Sequence, residues 1–221
     1  MADIKQVIAQ RAALELKPGM VINLGIGVPT LIANYVPADV EVTLHSENGA
    51  IGAGPAPVKY ADDMDIANAG GAPITILPGG SYFDSTTSFA LVRGGHVDMT
   101  FLGTMQVDGE GNIANYEIPG KLVAGMGGAM DLLAGIKNVN VVTEHCSKDG
   151  QSKLMKKCNL PLTGAGAATC IITERALFRR HPDKGFVLEE VAKGYTLDDI
   201  AAATDMDYVV ADDVKLDAFG E

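Results

Sequence analysis

Apolar positions along this chain fall mostly in short, nearly continuous runs, separated by glycine-rich breaks and by stretches with helical spacing. Asp3 stands where an N-cap belongs. Ile4, Val7, Ile8 and Ala12 follow at three- and four-residue intervals, predicting a helix that Lys17-Pro18-Gly19 ends. Met20 to Leu24 is a short apolar run of the kind expected of a buried strand. It leads through Gly25-Ile26-Gly27-Val28 to Pro29, which suits the first turn of a helix reaching Tyr35. Val40 to Leu44 alternates like a half-buried strand, and the Gly52, Gly54 and Pro55 that follow predict irregular chain. Ile74 to Leu77 reads as a strand broken by Pro78-Gly79-Gly80. A helix capped by Asp84 or Ser85 then runs to Arg93, stopped by Gly94-Gly95. Val97–Leu102, Val139–Thr143, Cys170–Thr173, Phe186–Val191 and Tyr208–Ala211 are further strands. Thr196-Leu197-Asp198-Asp199 is a capping box opening a helix through Ala203.

Strand, helix and strand in repeated succession imply an α/β fold: an open, mainly parallel sheet with helices on both faces. Gln106-Val107 and Asn112–Ile118 flank Asp108-Gly109-Glu110-Gly111, which predicts a hairpin protruding from that sheet. No internal repeat, low-complexity segment or linker interrupts the pattern, so residues 1–221 are read as a single domain.

Composition narrows the function. The 221 residues are 47% hydrophobic and 20% charged, enough for a sizeable core, and include 26 glycines. A net charge of −11 argues against a nucleic-acid partner, which would need a concentrated basic face. The short basic clusters at Lys153, Lys156, Lys157 and at Arg175–Arg180 read as solvated faces. No run of 18 apolar residues predicts a membrane span, and the first residues lack signal-peptide order. Cys146, Cys158 and Cys170 have no Cys-x-x-Cys spacing and read as buried thiols in a reducing cytoplasm. Asp62, Asp63 and Asp65 read as a surface loop, and no metal site is expected.

The chemistry converges on residues 45–55, His-Ser-Glu-Asn-Gly-Ala-Ile-Gly-Ala-Gly-Pro. Glu47 there ends a strand, at the edge where open α/β sheets bind ligands. The plainer reading is an Asn-Gly hairpin beside a solvated carboxylate. Two glycine loops, Gly25-Ile26-Gly27 and Gly125-Met126-Gly127-Gly128, read either as tight turns or as sources of free backbone N–H groups. Few histidines are available to activate a serine, and no Gly-x-Ser-x-Gly elbow occurs. A carboxylate needs no such base, being ionised at neutral pH. Glu47 with backbone amides near it therefore suggests acyl transfer through an acyl-glutamyl intermediate.

Ser46-Glu47-Asn48-Gly49 with Gly52, Gly54 and Pro55 resembles the catalytic signature of family I CoA-transferases. So do Asn23-Leu24-Gly25-Ile26-Gly27-Val28-Pro29-Thr30, Asn68-Ala69-Gly70-Gly71, Leu91-Val92-Arg93-Gly94-Gly95-His96, and Pro119-Gly120-Lys121 with Gly125 to Asp131. The resemblance runs from about Ile4 to Ala211 and is to the β subunit of the 3-oxoacid type, which includes acetate– and butyrate–acetoacetate enzymes. His45 departs from it, since relatives usually carry Gln there. The resemblance implies that Glu47 attacks an acyl-CoA and then carries CoA as a glutamyl thioester in a ping-pong exchange between short-chain acids. Gly128 and Ala129 would be oxyanion and thioester-carbonyl donors. Asn115 and Lys121 would be CoA contacts, and Gly25, Ile26, Gly27 and Asn48 would form the substrate loop. Coenzyme A would be a substrate, with no separate cofactor. An α subunit would complete the cleft in a cytoplasmic hetero-oligomer. The alternatives are a related sugar-phosphate isomerase or deaminase using Glu47 as a base, and a non-catalytic binding subunit.

Overall fold

The computed structural model describes residues 3–58, 63 and 65–220. In chain order the elements are α1 (Ile4–Ala13), β1 (Val21–Leu24), α2 (Val28–Leu31), β2 (Thr43–Ser46), β3 (Ala50–Ala53), β4 (Ile76–Tyr82), α3 (Ser85–Arg93) and β5 (Met99–Leu102). Then come β6 (Gln106–Asp108), β7 (Ile113–Ala114), β8 (Glu117–Ile118), β9 (Leu122–Val123), α4 (Ala129–Gly135) and β10 (Asn138–Val142). The chain ends with β11 (Leu154–Met155), β12 (Cys170–Ile172), β13 (Ala176–His181), β14 (Gly185–Val191), α5 (Leu197–Ala203) and β15 (Val209–Lys215).

Ten strands form one sheet in the order β15-β14-β13-β12-β10-β5-β1-β2-β3-β4. Its middle, from β12 to β2, is parallel. Both flanks turn antiparallel, at β12-β13-β14 and at β2-β3-β4. Side-chain alternation sorts the core into two layers. Ile22, Met99, Phe101, Val142, Cys170 and Ile172 meet α1 on one face; Leu102, Val139, Val141 and Ile171 meet α3 and α4 on the other. Both faces are therefore covered, and even the polar residues of the central strands, Asn23, Thr100 and Asn140, are buried.

The caps fall where expected. The Asp3 carboxylate accepts from the Lys5 N–H and Asp84 from the Thr87 N–H, while Thr196 and Asp199 form the reciprocal capping box. The 106–118 segment leaves the main sheet as anticipated, but only its first part is one hairpin. β6 and β7 join β11 in a small sheet, and β8 and β9 form a separate ribbon. Val107, Ile113 and Leu154 root the small sheet in the core.

Other expectations need correction. Glu41 and Val42 lie outside β2, held as a loop by the bond from the Gly19 N–H to the Glu41 carbonyl. Gly52 belongs to β3, at an irregularity in its pairing with β4, and Pro78, Gly79 and Gly80 belong to β4, the sheet's edge, where a proline costs no ladder bond. The helix opened by Pro29 becomes a 3-10 turn over Ile32–Tyr35. Arg175–Arg180 is no solvated face: Ala176, Leu177 and Phe178 are buried in β13, and Arg179 bonds Glu189 and Glu15. Of the cysteines only Cys170 is fully buried. Desolvation pushes its thiol, and that of half-buried Cys158, up to about 12. Asp63 and Asp65 are exposed, while Asp62 lies outside the described residues. Among the described residues no helix is long and apolar enough to cross a membrane.

Candidate active site

Chain direction creates the site. From β1 the chain moves to β2 on one side; it later returns to β5 on the other side of β1 and continues to β10 and β12. The loops after β1 and β5 therefore splay apart, leaving a crevice at the carboxyl ends of the strands. A cavity of about 720 Å³ occupies it, lined by Ile26 after β1, Glu47 and Asn48 after β2, Gly103 to Met105 after β5, and residues 124–129 leading into α4. Phe89 from α3, Leu132 and Met126 supply apolar wall.

Glu47 is the first turn residue of the β2–β3 hairpin. The hairpin of the plainer reading is present, with a three-residue turn Glu47-Asn48-Gly49, but the carboxylate is half-buried on the crevice wall rather than solvated. The tightness of the turn shows at Gly49, where φ is 130° and a Cβ would stand 2.1 Å from the Phe83 carbonyl oxygen. Ser46 points away from Glu47, its hydroxyl donating to Asn48 Oδ1 at 2.7 Å and accepting from the Ala69 N–H at 3.0 Å.

What orients Glu47 is Asn23, a residue within the family-like motif to which sequence reasoning gives no role. Fully buried on β1, it donates through Nδ2 to Glu47 Oε2 at 2.8 Å. Its Oδ1 accepts from Thr100 at 3.2 Å, and its Nδ2 also reaches the His45 carbonyl at 3.4 Å. Parallel register makes this possible, since Asn23 pairs with His45 on one side and Thr100 on the other. The signal available beforehand was an amide interrupting the apolar run Met20–Leu24, because buried polar groups are kept only with partners. Asn23→Ala is expected to lower kcat about 10- to 100-fold with little change in KM, through loss of one charge-assisted bond. Steady-state kinetics on the folded variant checks this.

His45 lies behind the site. It is buried, its Nε2 is 2.9 Å from the Ser88 hydroxyl, and its ring stacks on Phe83. Desolvation lowers its pKa to about 4, and burial with nearby Arg175 lowers that of His145 to about 3. Both are neutral in the native state. The unfolded chain binds protons at these histidines below about pH 6.5 and the native chain does not, so their contribution to stability falls as pH drops from 6.5 toward 4 and is constant above 6.5. Urea midpoints across that range should show the slope, reduced in His45→Gln.

Of the other predicted residues, Gly128 fits its position most tightly. A Cβ there would stand 2.9 Å from Phe89 and 3.1 Å from Glu47 Cγ, so only glycine lets the backbone come this close to the carboxylate. Its N–H has no acceptor among the described residues, whereas the Ala129 N–H bonds the Met126 carbonyl at 3.1 Å. Asn115 lines the cavity, but its side chain is spent on the Gly103 carbonyl and Thr163, holding the loop after β5. Ile26 and Asn48 also line it. Gly25 and Gly27 do not: the Gly25 N–H bonds the Phe101 carbonyl, and the Gly27 carbonyl accepts from Thr30. Lys121 is exposed on the β8–β9 turn, away from the cavity wall. The Arg93–Asp131 pair at 2.6 Å ties α3 to α4, keeping Phe89 against Gly128.

Residues 5–203 match the coenzyme A transferase family. The chain belongs to it. This CoA-transferase chain is 48% identical over 213 residues to the beta subunit of the acetate CoA-transferase of Escherichia coli K12, covering 96% of this chain and 97% of that one. It is 46% identical to a chain of the probable succinyl-CoA:3-ketoacid coenzyme A transferase of Bacillus subtilis, covering 97% and 99%. Against the mitochondrial succinyl-CoA:3-ketoacid coenzyme A transferase 2B of mouse it is 49% identical, but spans only 40% of that longer chain. Among solved structures, the acyl-CoA transferase YdiF of E. coli O157:H7 superimposes with a TM-score of 0.77 at 26% identity, over 97% of this chain and 43% of that one. The decarboxylase AibA/AibB shares the fold, with a TM-score of 0.70 at 17% identity over 99% and 91% of the two chains.

Proposed function

We propose that this chain is the catalytic β subunit of a CoA-transferase that moves CoA between short-chain carboxylic acids such as acetoacetate, acetate and butyrate, with Glu47 as covalent carrier. One observation carries the reading: the Glu47 carboxylate is held by Asn23 at 2.8 Å on the wall of the crevice, with Gly128 so near that a Cβ there would stand 3.1 Å from Glu47 Cγ. Family membership and the full-length likeness to a bacterial chain named as a beta subunit support it. So does a solved structure of YdiF as a thioester complex with CoA, at 25% identity and a TM-score of 0.76.

A Glu47 oxygen adds to the acyl-CoA carbonyl carbon, and collapse expels CoA thiolate to leave an acyl-glutamyl anhydride. The thiolate then attacks the Glu47 carbonyl carbon, releasing the first acid and forming the glutamyl-CoA thioester. The second acid's carboxylate runs both steps backwards. Each tetrahedral intermediate needs a donor for its oxyanion, and the unspent Gly128 N–H suits that task. Phe89, Met126 and Leu132 limit water, which would hydrolyse either intermediate. The cavity's described lining includes no lysine or arginine, which suits a site whose cations come in part from an α subunit. Incubating the assembled enzyme with acetoacetyl-CoA, then borohydride, should leave a reduced residue on the peptide bearing Glu47. An unmodified peptide from active enzyme would overturn the covalent route.

A further inference from the structure

A second cavity of about 530 Å³ adjoins the first, and Thr104 and Met105 line both. Its wall mixes polar side chains, Gln106, Ser152 and Asn159, with apolar ones such as Met155 and Leu160, and it holds Lys153. That lysine is half-buried, unlike the solvated basic face expected of its cluster. Its backbone is fixed in place, the N–H on the His145 carbonyl at 2.9 Å and the carbonyl accepting from Val107 at 3.0 Å. The ammonium donates to the buried Thr143 hydroxyl at 3.3 Å, and that hydroxyl donates to the Thr104 carbonyl at 3.2 Å. Lys153 makes no ion pair among the described residues, although Asp205 lines the same chamber. The ammonium, with two of its three donors free of protein acceptors among the described residues, is placed to receive an anion entering the chamber.

We propose that the second chamber is an oxyanion subsite of the transferase and that Lys153 is its binding group, holding an anionic end of a substrate whose reacting end lies at Glu47. The shared chemistry is an oxyanion: the second carboxylate of a dicarboxylic acid or a phosphate of coenzyme A. This rests on the transferase reading above, because it assigns the far end of the same reactants. The link through Thr143 and Thr104 joins the subsite to the loop that walls Glu47's cavity.

The test uses the assembled two-chain enzyme carrying Lys153→Met, Lys153→Arg, or Lys156→Met as an exposed control, with thermal melts to confirm folding. Dissociation constants for succinate, acetate and coenzyme A are measured by calorimetry on the Glu47→Gln background, so that no turnover is needed. A subsite predicts weakening of about tenfold or more in Lys153→Met, the usual consequence of losing a charged partner, with recovery in Lys153→Arg and none of the loss in Lys156→Met. Loss confined to succinate identifies a carboxylate; loss confined to coenzyme A identifies a phosphate. Unchanged binding of all three by folded Lys153→Met overturns the subsite while leaving the role of Glu47 untouched. Failure of borohydride trapping overturns the carrier role without touching these constants.

Discussion

Replacing Glu47 with alanine is expected to lower turnover of the assembled enzyme roughly a millionfold, the scale seen when a covalent nucleophile is deleted. Neither its neighbours nor water offers a substitute. Ser46 points away and is bonded to Asn48, and His45 is buried behind the strand on Ser88. Folding should hardly change, because Glu47 is half-buried, sits on a turn and makes one described side-chain bond. Single-turnover assays with acetoacetyl-CoA, alongside a melt of the variant, separate lost chemistry from lost structure. Activity within a few-fold of the parent enzyme would remove Glu47 from the reaction. Glu47→Gln should behave similarly while keeping the bond geometry with Asn23, since its amide is a far weaker nucleophile than a carboxylate.

The second large effect is on stability. Gly49→Ala places a methyl 2.1 Å from the Phe83 carbonyl oxygen in a backbone at φ 130°. Neither partner can retreat, because the Phe83 N–H is bonded to the Gly49 carbonyl at 3.0 Å and Asp84 caps α3 next to it. The variant is expected to lose about 3 kcal/mol or more, combining strain at a glycine-only conformation with a backbone clash. Asn48→Ala, on the exposed side of the same turn, should cost about 1 kcal/mol or less, since it breaks bonds only to Ala67 and Ser46. Urea unfolding of the three proteins gives the comparison; equal midpoints for Gly49→Ala and the parent would refute the account. The tight turn is what delivers the Glu47 carboxylate to the crevice.

Physical patterning in the sequence determined much of this. The repeated succession of strand, helix and strand predicted a mainly parallel sheet with helices on both faces, because parallel neighbours need a crossover between them. Asp3, Asp84 and the Thr196–Asp199 box marked helix starts, because capping is local chemistry written within four residues. The motif around Glu47 pointed to the family and to the carboxylate itself. Tertiary structure alone decided what lies near what. Asn23 meets Glu47 only because register sets β1 beside β2, and pairing between strands 22 residues apart leaves no local mark. Gly128 and Lys121 belong to neighbouring stretches of one family-like motif, yet one presses on Glu47 while the other is in solvent; a chain reversal separates them. Edge position let Pro78 enter a strand, and ion pairs with Glu15 and Glu189 turned the basic stretch at Arg179 inward. Such outcomes depend on long-range packing, which sums many weak contacts among distant residues.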